Sequence, residues 1–127
     1  MKTKRDGDVE SGLTSIKNLA LRQCKPHEKG DRPLAHRFIK PYLSQLPGWK
    51  LSGKEIIRIF TFGNFYETMG FVNAVAFVAN REDHHPDLEV GYKTCKVHYT
   101  SHDVGGLSEN DFICAMKISG LFNGASS

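Results

Sequence analysis

The sequence predicts an α+β sandwich, in which antiparallel strands pack against helices. The run "EIIRIFTF", residues 55–62, is β-branched and aromatic and therefore favours a strand. Two longer segments, starting near Asn64 and Ser108, repeat apolar residues at helical spacing behind a capping signal. The predicted order is helix, strand, strand, helix, strand, helix, with an added strand at "NLALRQC" near the amino terminus.

The composition is that of one small domain. The chain has 127 residues, of which 39% are hydrophobic and 24% charged, enough for one core but hardly for two. We expect residues 1–19 to form a disordered tail and residues 20–127 to form the domain. The chain has a net charge of +3, and its basic excess lies in the first sixty residues. The excess is diffuse, unlike the dense basic stripe of a nucleic-acid-binding protein.

The chain start and the cysteines indicate a cytoplasmic protein. The first residues, "MKTKRDGDVESG", lack the apolar run of a secretory signal. No stretch approaches the ~20 apolar residues that span a bilayer. Because the chain has an odd number of cysteines, Cys24, Cys95 and Cys114, we expect reduced thiols and no disulfide framework. We interpret Cys24 and His27 as structural or incidental, since they lack a second pair of metal ligands.

The first half of the predicted domain holds a short helix and two strands. Residues 35–46 favour the helix, in which Pro41 fits the first turn better than the interior. "LPGW" predicts a turn, a strand begins at Trp49, and "SGK" returns the chain into residues 55–62. In that second strand both faces are apolar, so we expect both to be covered. Ile57 and Ile59 lie on one face, and Ile56, Phe60 and Phe62 on the other.

The segment 64–81 predicts a long helix with more apolar surface than one contact needs. Asn64 and Glu67 have the spacing of a capping box. Two apolar stripes follow, and together they exceed a single core-facing stripe. The first contains Phe65, Met69, Val72 and Ala76, and the second contains Phe71, Val75 and Val78. We infer that this helix packs on its own sheet and also on a partner subunit.

The last third predicts a strand and a second long helix. In "LEVGYKTCKVHYTS" the residues Cys95, Val97 and Tyr99 alternate with polar ones, as in a half-buried strand. The helix begins after Ser108, with Asp111 three positions on, as in a short-armed capping box. This gives Asp111 a structural interpretation, because a carboxylate is favoured at a helix amino terminus.

Adjacent histidines raise the question of chemistry. His84 and His85 precede Pro86, so their backbone is expected to be extended or turned. If the following strand pairs back to the helix end, His102 meets them, and three imidazoles with pKa values near ~6.5 converge. Solvated surface remains the plainer alternative. Zinc binding is disfavoured, since the usual local ligand spacing is missing.

The spacing of these residues resembles the pterin-4a-carbinolamine dehydratase family, also called 4a-hydroxytetrahydrobiopterin dehydratases. Five residues separate Pro86 from Tyr92, nine separate Tyr92 from His102, and eight separate His102 from Asp111. The strings "LPGWKL" and "TSHDVGGLSENDF" also resemble the family. The resemblance covers residues 20–122.

The resemblance implies a fold and an activity. The fold is a small antiparallel four-stranded sheet with helices packed on one face, in a homodimer or homotetramer. The activity is dehydration of the 4a-hydroxytetrahydropterin that aromatic amino acid hydroxylases release, giving quinonoid dihydropterin and water for tetrahydrobiopterin recycling. The pterin is then a substrate, and neither a cofactor nor a metal is expected.

The resemblance also implies the site residues. His84, His85 and His102 would be catalytic, with His85 and His102 as the acid–base pair and His84 orienting the ring. Asp111 would support the site from the helix start. The residues expected to line the pterin pocket are Asn80, Asp83, Pro86, Ser101, Asp103 and Val104.

One residue departs from the family pattern. Asn80 stands four positions before His84, where family members usually carry Glu, Asp, Lys or His, and an amide cannot carry a charge or a proton near neutrality. Some relatives with this fold assist RuBisCO assembly or act as dimerisation cofactors of a transcription factor. A non-catalytic protein with a protein client is therefore the alternative function. The retained histidines argue against it, since a scaffold does not need convergent imidazoles.

Overall fold

The computed structural model describes residues 18–126, with side chains as far as Phe122. Within this range three α-helices and four β-strands follow one another along the chain. They are α1 (His36–Leu43), β1 (Lys50–Ser52), β2 (Glu55–Thr61), α2 (Phe65–Glu82), β3 (Asp87–Val90), β4 (Thr94–Tyr99) and α3 (Glu109–Ser126). Single 3-10 turns lie at Leu19–Leu21 and His102–Val104. Residues 1–17 of the predicted tail lie outside the described residues.

The strands form one antiparallel sheet in the order β1-β2-β4-β3. β2 and β4 pair in the centre along their whole length, with Ile56 opposite Tyr99 and Phe60 opposite Cys95. α2 connects these central strands through the β3–β4 hairpin, so the end of α2 and the end of β4 lie in the same part of the molecule. The predicted fold class is confirmed.

The core lies between one face of the sheet and the helices α2 and α3. Ile56 and Phe60 of β2 are 0% and 1% exposed, whereas Ile59 on the opposite face is 58% exposed. Phe60 packs on Phe71 of α2, with ring centroids 4.6 Å apart. Burial of each such side chain stabilises the fold by about 1.5–3 kcal/mol. We expected both faces of β2 to be covered. Coverage of the face that carries Ile59 stays a prediction, and it would require a partner subunit.

The fourth strand is not the one that the sequence predicted. The segment at "NLALRQC" forms a 3-10 turn, whose Leu19 is fully buried and packs against α3. The prediction of a strand there was wrong. The fourth strand comes from "LEVGYKTCKVHYTS", which is a hairpin and not a single strand. Gly91 lies at its turn, where its N–H donates to the Thr94 carbonyl at 2.8 Å, and a glycine inside a strand pattern is a turn signal.

Pro41 lies inside α1 and not in its first turn, which contradicts the prediction. The helix runs from His36 to Leu43 and places Tyr42 in the core. There the Tyr42 ring stacks on Phe112, with centroids 4.7 Å apart. Burial of that aromatic side chain outweighs the hydrogen bond that proline cannot donate.

The two predicted capping boxes form only in part. Asn64 Oδ1 accepts a hydrogen bond from the Glu67 N–H at 2.9 Å, but the Glu67 carboxylate accepts from Gly63 N–H rather than from Asn64. At α3 the return bond is present, from Ser108 N–H to Asp111 Oδ2 at 2.8 Å. Ser108 Oγ bonds instead to Ser101 Oγ at 2.8 Å, which ties the helix start to the end of β4.

No helix in the described part of the chain has the length and apolar character needed to cross a membrane.

Candidate active site

The carboxyl end of α2 places His84 at the sheet. Asp83 takes a left-handed conformation, with φ of 54°, and the His84 N–H donates to the Ala79 carbonyl at 3.1 Å. This tight reversal stops the helix. Because Pro86 follows, the chain leaves in an extended form and enters β3.

His84 is paired with a buried carboxylate. Its Nε2 lies 2.6 Å from Asp111 Oδ1, and the Asp111 side chain is fully buried. The other carboxylate oxygen accepts hydrogen bonds from Ser101 Oγ at 2.9 Å and from Ser108 N–H at 2.8 Å. A buried carboxylate with these donors is held in one orientation, so it fixes the imidazole in turn.

Tyr99 contacts both the ring and the backbone of His84. Its ring stacks on the imidazole with centroids 5.1 Å apart, and its hydroxyl donates to the His84 carbonyl at 3.0 Å. Burial alone lowers the pKa of His84, but the hydrogen bond and the negative charge of Asp111 outweigh it. The net pKa of His84 is raised. The imidazole therefore holds its proton to a higher pH than a free histidine does.

Arg22–His27, which we call the N-terminal strap, runs past the end of α2. Cys24 N–H donates to Glu82 Oε1 at 2.8 Å. The side-chain amide of Asn110 forms two bonds with the backbone of Lys25: Asn110 Nδ2 donates to the Lys25 carbonyl at 2.8 Å, and Lys25 N–H donates to Asn110 Oδ1 at 3.1 Å. These bonds fix the strap against α2 and α3.

His27 ties the strap to the turn after β4. Its Nδ1 lies 2.7 Å from Asp103 Oδ2. The hydrogen bond with His27 lowers the pKa of Asp103, and the more distant His84 acts in the same direction. Both histidines therefore favour the ionised form of the Asp103 carboxyl.

The strap and the α2 end enclose a cavity of about 440 Å³. Drug-sized ligands occupy cavities of about 300–1,000 Å³, so a bicyclic ligand fits its volume. Charged and polar side chains of both signs border it. The lining residues are Cys24, Lys25, Pro26, His27, Arg81, Glu82, Asp83, His84, Asp103 and Asn110.

The structure does not bring all three predicted histidines to this cavity. His85 is exposed, and its Nε2 lies 3.0 Å from Asn80 Oδ1, one turn back on α2. His102 is exposed on the 3-10 turn after β4. It borders a separate cavity of about 270 Å³ with Lys54, Glu55 and Thr100. Among the described side chains, no hydrogen bond joins His102 to His84 or His85.

The predicted pocket residues differ in their distance from the solvent and in whether they border the cavity. Asp83 and Asp103 border the cavity together with His84. Ser101 is 1% exposed and holds Asp111, and Val104 is 8% exposed in the core. Pro86 is half-buried at the turn into β3. Ser101 therefore supports the site through Asp111.

The strap contributes residues that no sequence motif indicates. Cys24 and His27 lack the second ligand pair of a metal site and carry no other local signal, yet both border the cavity, as does Asn110. One sequence signal did point to a local role for Glu82. An acidic residue at the carboxyl end of a helix opposes the helix dipole, so its placement there is unfavourable unless it has a partner. Its carboxylate instead anchors the strap at Cys24 and pairs with Lys117 at 3.8 Å.

The described residues show no metal-binding group and contain a second, mainly apolar cavity. Within residues 18–122, no group of three His, Cys, Asp or Glu side chains is arranged to hold a metal ion. A cavity of about 500 Å³ lies between α2 and the end of α3, bordered by Phe62, Phe71 and Phe122. Among the described residues that border this cavity, Glu67 is the only ionisable one. The cavity is therefore less suited to proton transfer than the one at His84.

Comparison with known sequences identifies similar proteins. The sequence profile of the family described as "Pterin 4 alpha carbinolamine dehydratase" matches residues 32–121. A protein of Nitrosospira multiformis is 56% identical over 109 residues, which cover 86% of this chain and 96% of that one. A protein of Nitrosomonas europaea is 52% identical over 111 residues, covering 87% and 98%. Both carry the provisional name pterin-4-alpha-carbinolamine dehydratase.

Solved structures with the same fold are also known. The crystal structure of a "transcriptional coactivator/pterin dehydratase" from Brucella melitensis aligns with a TM-score of 0.69 and 29% identity, covering 72% of this chain and 99% of that one. A pterin dehydratase-like protein described as a RuBisCO assembly factor in the alpha-carboxysome aligns with a TM-score of 0.51 and 22% identity, covering 58% and 88%. This second likeness concerns the fold alone.

Proposed function

Since the chain belongs to the pterin 4 alpha carbinolamine dehydratase family, we propose that it dehydrates a 4a-hydroxytetrahydropterin to the quinonoid dihydropterin. The observation that supports this most directly is the His84–Asp111 pair at the edge of a cavity of about 440 Å³. An imidazole held in one orientation by a buried carboxylate is suited to orienting a substrate ring at the cavity edge.

The reaction needs two proton transfers. The bond between C4a and the hydroxyl oxygen breaks, and the hydroxyl leaves as water after it receives a proton. N5 of the pterin loses its proton, and its electron pair forms the C4a–N5 double bond. No electrons are exchanged with another molecule. An acid and a base on either side of the ring are therefore sufficient.

The charges around the cavity suit this substrate. The aminopyrimidinone edge of a pterin presents N–H donors, and Asp83 and Asp103 offer carboxylate acceptors beside His84. The raised pKa of His84 keeps its ring cationic over a wider pH range. A cation there stabilises the departing hydroxyl oxygen.

We retain His85 and His102 as the proposed acid–base pair, with His84 orienting the ring. His85 is exposed beside Asn80, and His102 lies on the turn that also carries Asp103. For all three to act on one pterin, the ligand must extend from the cavity at His84 toward that turn. Because the three histidines do not border a single cavity, the role of each is tested with its own alanine variant.

We propose a homo-oligomer in the cytoplasm, acting in tetrahydrobiopterin recycling. Tyr66 and Phe77 are 90% and 65% exposed. Because they are eleven positions apart on α2, they lie on the same face of that helix. Large exposed apolar side chains commonly mark an interface. The alternative, a non-catalytic protein that binds a protein client, is favoured by Asn80 and by the extended basic N-terminal region.

The experiment measures the dehydration of enzymatically generated 4a-hydroxytetrahydropterin by wild type and by His84→Ala, His85→Ala and His102→Ala. We expect wild type to accelerate the reaction, and each variant to lose about 100-fold, the typical contribution of acid–base catalysis. Gln45→Ala, at an exposed position after α1, is the matched control and should retain the wild-type rate.

Ligand binding separates the two candidate functions. Calorimetry with a stable pterin should show binding to wild type if the cavity is a substrate site. Tryptophan fluorescence is a poorer probe, because Trp49 is buried in the core and does not border the cavity. A correctly folded wild type that neither binds pterin nor accelerates dehydration would reject the enzyme and leave the protein-binding alternative.

A further inference from the structure

Two thiols meet beside the candidate active site. Cys24 Sγ of the strap lies 3.5 Å from Cys114 Sγ of α3, although 90 positions separate them in the sequence. Disulfide sulfur atoms are about 2.0 Å apart, so an approach of about 1.5 Å would join them. The third cysteine, Cys95, is buried in β4 and has no thiol partner among the described residues.

The pair differs from an ordinary buried thiol contact in its access to solvent. Cys114 is fully buried, but Cys24 is half-buried and borders the cavity at His84. Because Cys24 borders that cavity and Cys114 is fully buried, Cys24 is the thiol of this pair that a small oxidant such as hydrogen peroxide meets first. Cys114 lies directly behind it and is placed to resolve the product.

We infer that Cys24 and Cys114 form a peroxide-reactive dithiol site that closes into a reversible disulfide between the strap and α3. The Cys24 thiolate attacks a peroxide oxygen, so that an S–O bond forms, the O–O bond breaks, and the departing hydroxide takes up a proton as water. Cys114 then attacks the sulfenic sulfur. The S–S bond forms, the S–O bond breaks, and the hydroxide leaves as water with the proton of Cys114. Two thiols and one peroxide give one disulfide and two waters.

The shared hydrogen bond sets the pH dependence of the reaction. The hydrogen bond from Cys24 lowers the pKa of Cys114, and the positive potential of His84 acts in the same direction. The hydrogen bond with Cys114 and burial raise the pKa of Cys24. The first thiolate therefore forms on Cys114, and the proton must pass from Cys24 to Cys114 before Cys24 attacks. Because only a thiolate is nucleophilic, the oxidation rate should rise with pH.

Oxidation should also change the candidate active site, a consequence that rests on the proposed function. The disulfide draws Cys24 toward α3, while the neighbouring Lys25 and His27 border the cavity. We expect the oxidised protein to dehydrate pterin more slowly and to recover its rate in dithiothreitol. Formation of the disulfide is measured without any activity assay, so failure of the dehydratase proposal leaves this test intact.

The test uses the full-length reduced protein and mass spectrometry. Hydrogen peroxide is added and quenched, and the remaining thiols are alkylated under denaturing conditions before tryptic digestion. The three cysteines fall on three different tryptic peptides, residues 23–29, 94–96 and 97–117. We expect peptides 23–29 and 97–117 to become linked within a single chain, while peptide 94–96 stays alkylated. The linked form should disappear after reduction.

Single variants test the order of the steps. Cys114→Ser should accumulate a sulfenic acid on Cys24 that dimedone captures, and Cys24→Ser should leave Cys114 alkylatable. Cys95→Ser is the matched control and should form the disulfide as wild type does.

Oxidised wild type should also unfold at a temperature higher by about 5 °C or more than the reduced protein, since the bond closes a long loop.

Three outcomes would overturn the inference. They are overoxidation of Cys24 without a link, a link that involves Cys95, and a link only between two chains. If the serine variants fail to fold, the wild-type peptide map alone decides between these outcomes and the intrachain disulfide.

Discussion

His84 Nε2 lies 2.6 Å from Asp111 Oδ1, although the two residues are 27 positions apart in the sequence. His84 follows the end of α2, and Asp111 lies in the first turn of α3. Asp111 is fully buried and also accepts from Ser101 and Ser108. One carboxylate thus joins the helix that follows β4 to the histidine that precedes β3. The site and the packing of the two long helices depend on the same contact.

Removing the charge of Asp111 should lower the pKa of His84. Asp111→Asn keeps the size of the side chain but removes the charge that raises this pKa, while burial of the imidazole remains. An NMR titration of the His84 ring protons in wild type and variant measures the shift. An unchanged pKa would show that Asp111 does not control the protonation of His84.

The His84–Asp111 pair should stabilise the fold most at low pH. The folded-state pKa of His84 is raised above the ordinary value of about 6.5. Its contribution to the free energy of unfolding is therefore complete below about pH 6.5 and is lost as the pH rises through the folded-state pKa.

Urea unfolding of wild type and His84→Gln at several pH values measures this contribution. The difference in the free energy of unfolding should be larger near about pH 5.5 than near about pH 8.5. His98, whose pKa is also raised, pairs with Glu55 and Glu89 in both proteins and cancels in the comparison. A difference that does not vary with pH would contradict the prediction.

Asn80→Glu should raise the dehydration rate. Asn80 Oδ1 lies 3.0 Å from His85 Nε2, so a carboxylate there would favour the protonated imidazole and could carry a proton itself. The measurement is the dehydration rate at neutral pH, with Gln45→Glu as a control for the added charge. An unchanged or lower dehydration rate in a correctly folded variant would contradict this prediction.

Asn110→Ala should release the strap. The variant loses both hydrogen bonds to the Lys25 backbone, and leaving such partners unpaired costs about 1–3 kcal/mol. Hydrogen exchange should become faster at residues 22–27 and remain unchanged in the centre of the sheet. Gln45→Ala is the control. Unaltered exchange in the strap would show that Glu82 and His27 hold it without Asn110.

Phe77→Glu should weaken self-association. Phe77 is 65% exposed on the α2 face that also carries Tyr66, and burying a charge in an apolar contact is costly. Sedimentation measurements should give an oligomer for wild type and a smaller species for the variant. Lys40→Glu, exposed on α1, controls for the added negative charge. A wild type that is monomeric at all concentrations would exclude the interface.

Elements with local signals can be predicted from the amino-acid sequence without the structure. Apolar spacing along residues 64–81, the capping residue Asn64 and the β-branched run at 55–62 predicted α2 and β2, because these signals arise from residues close together in the chain. The turn signal at Gly91 was also local, but the alternation on either side of it concealed the hairpin.

Tertiary structure alone decided how the site is assembled. The strap meets α3 through Asn110 and Cys114, more than eighty positions away, and no local pattern encodes a contact at that separation. The same holds for Pro41, which is accepted inside α1 because Tyr42 stacks on Phe112. Local propensity differs by at most a few kcal/mol between states, so burial of distant partners decides where such residues lie.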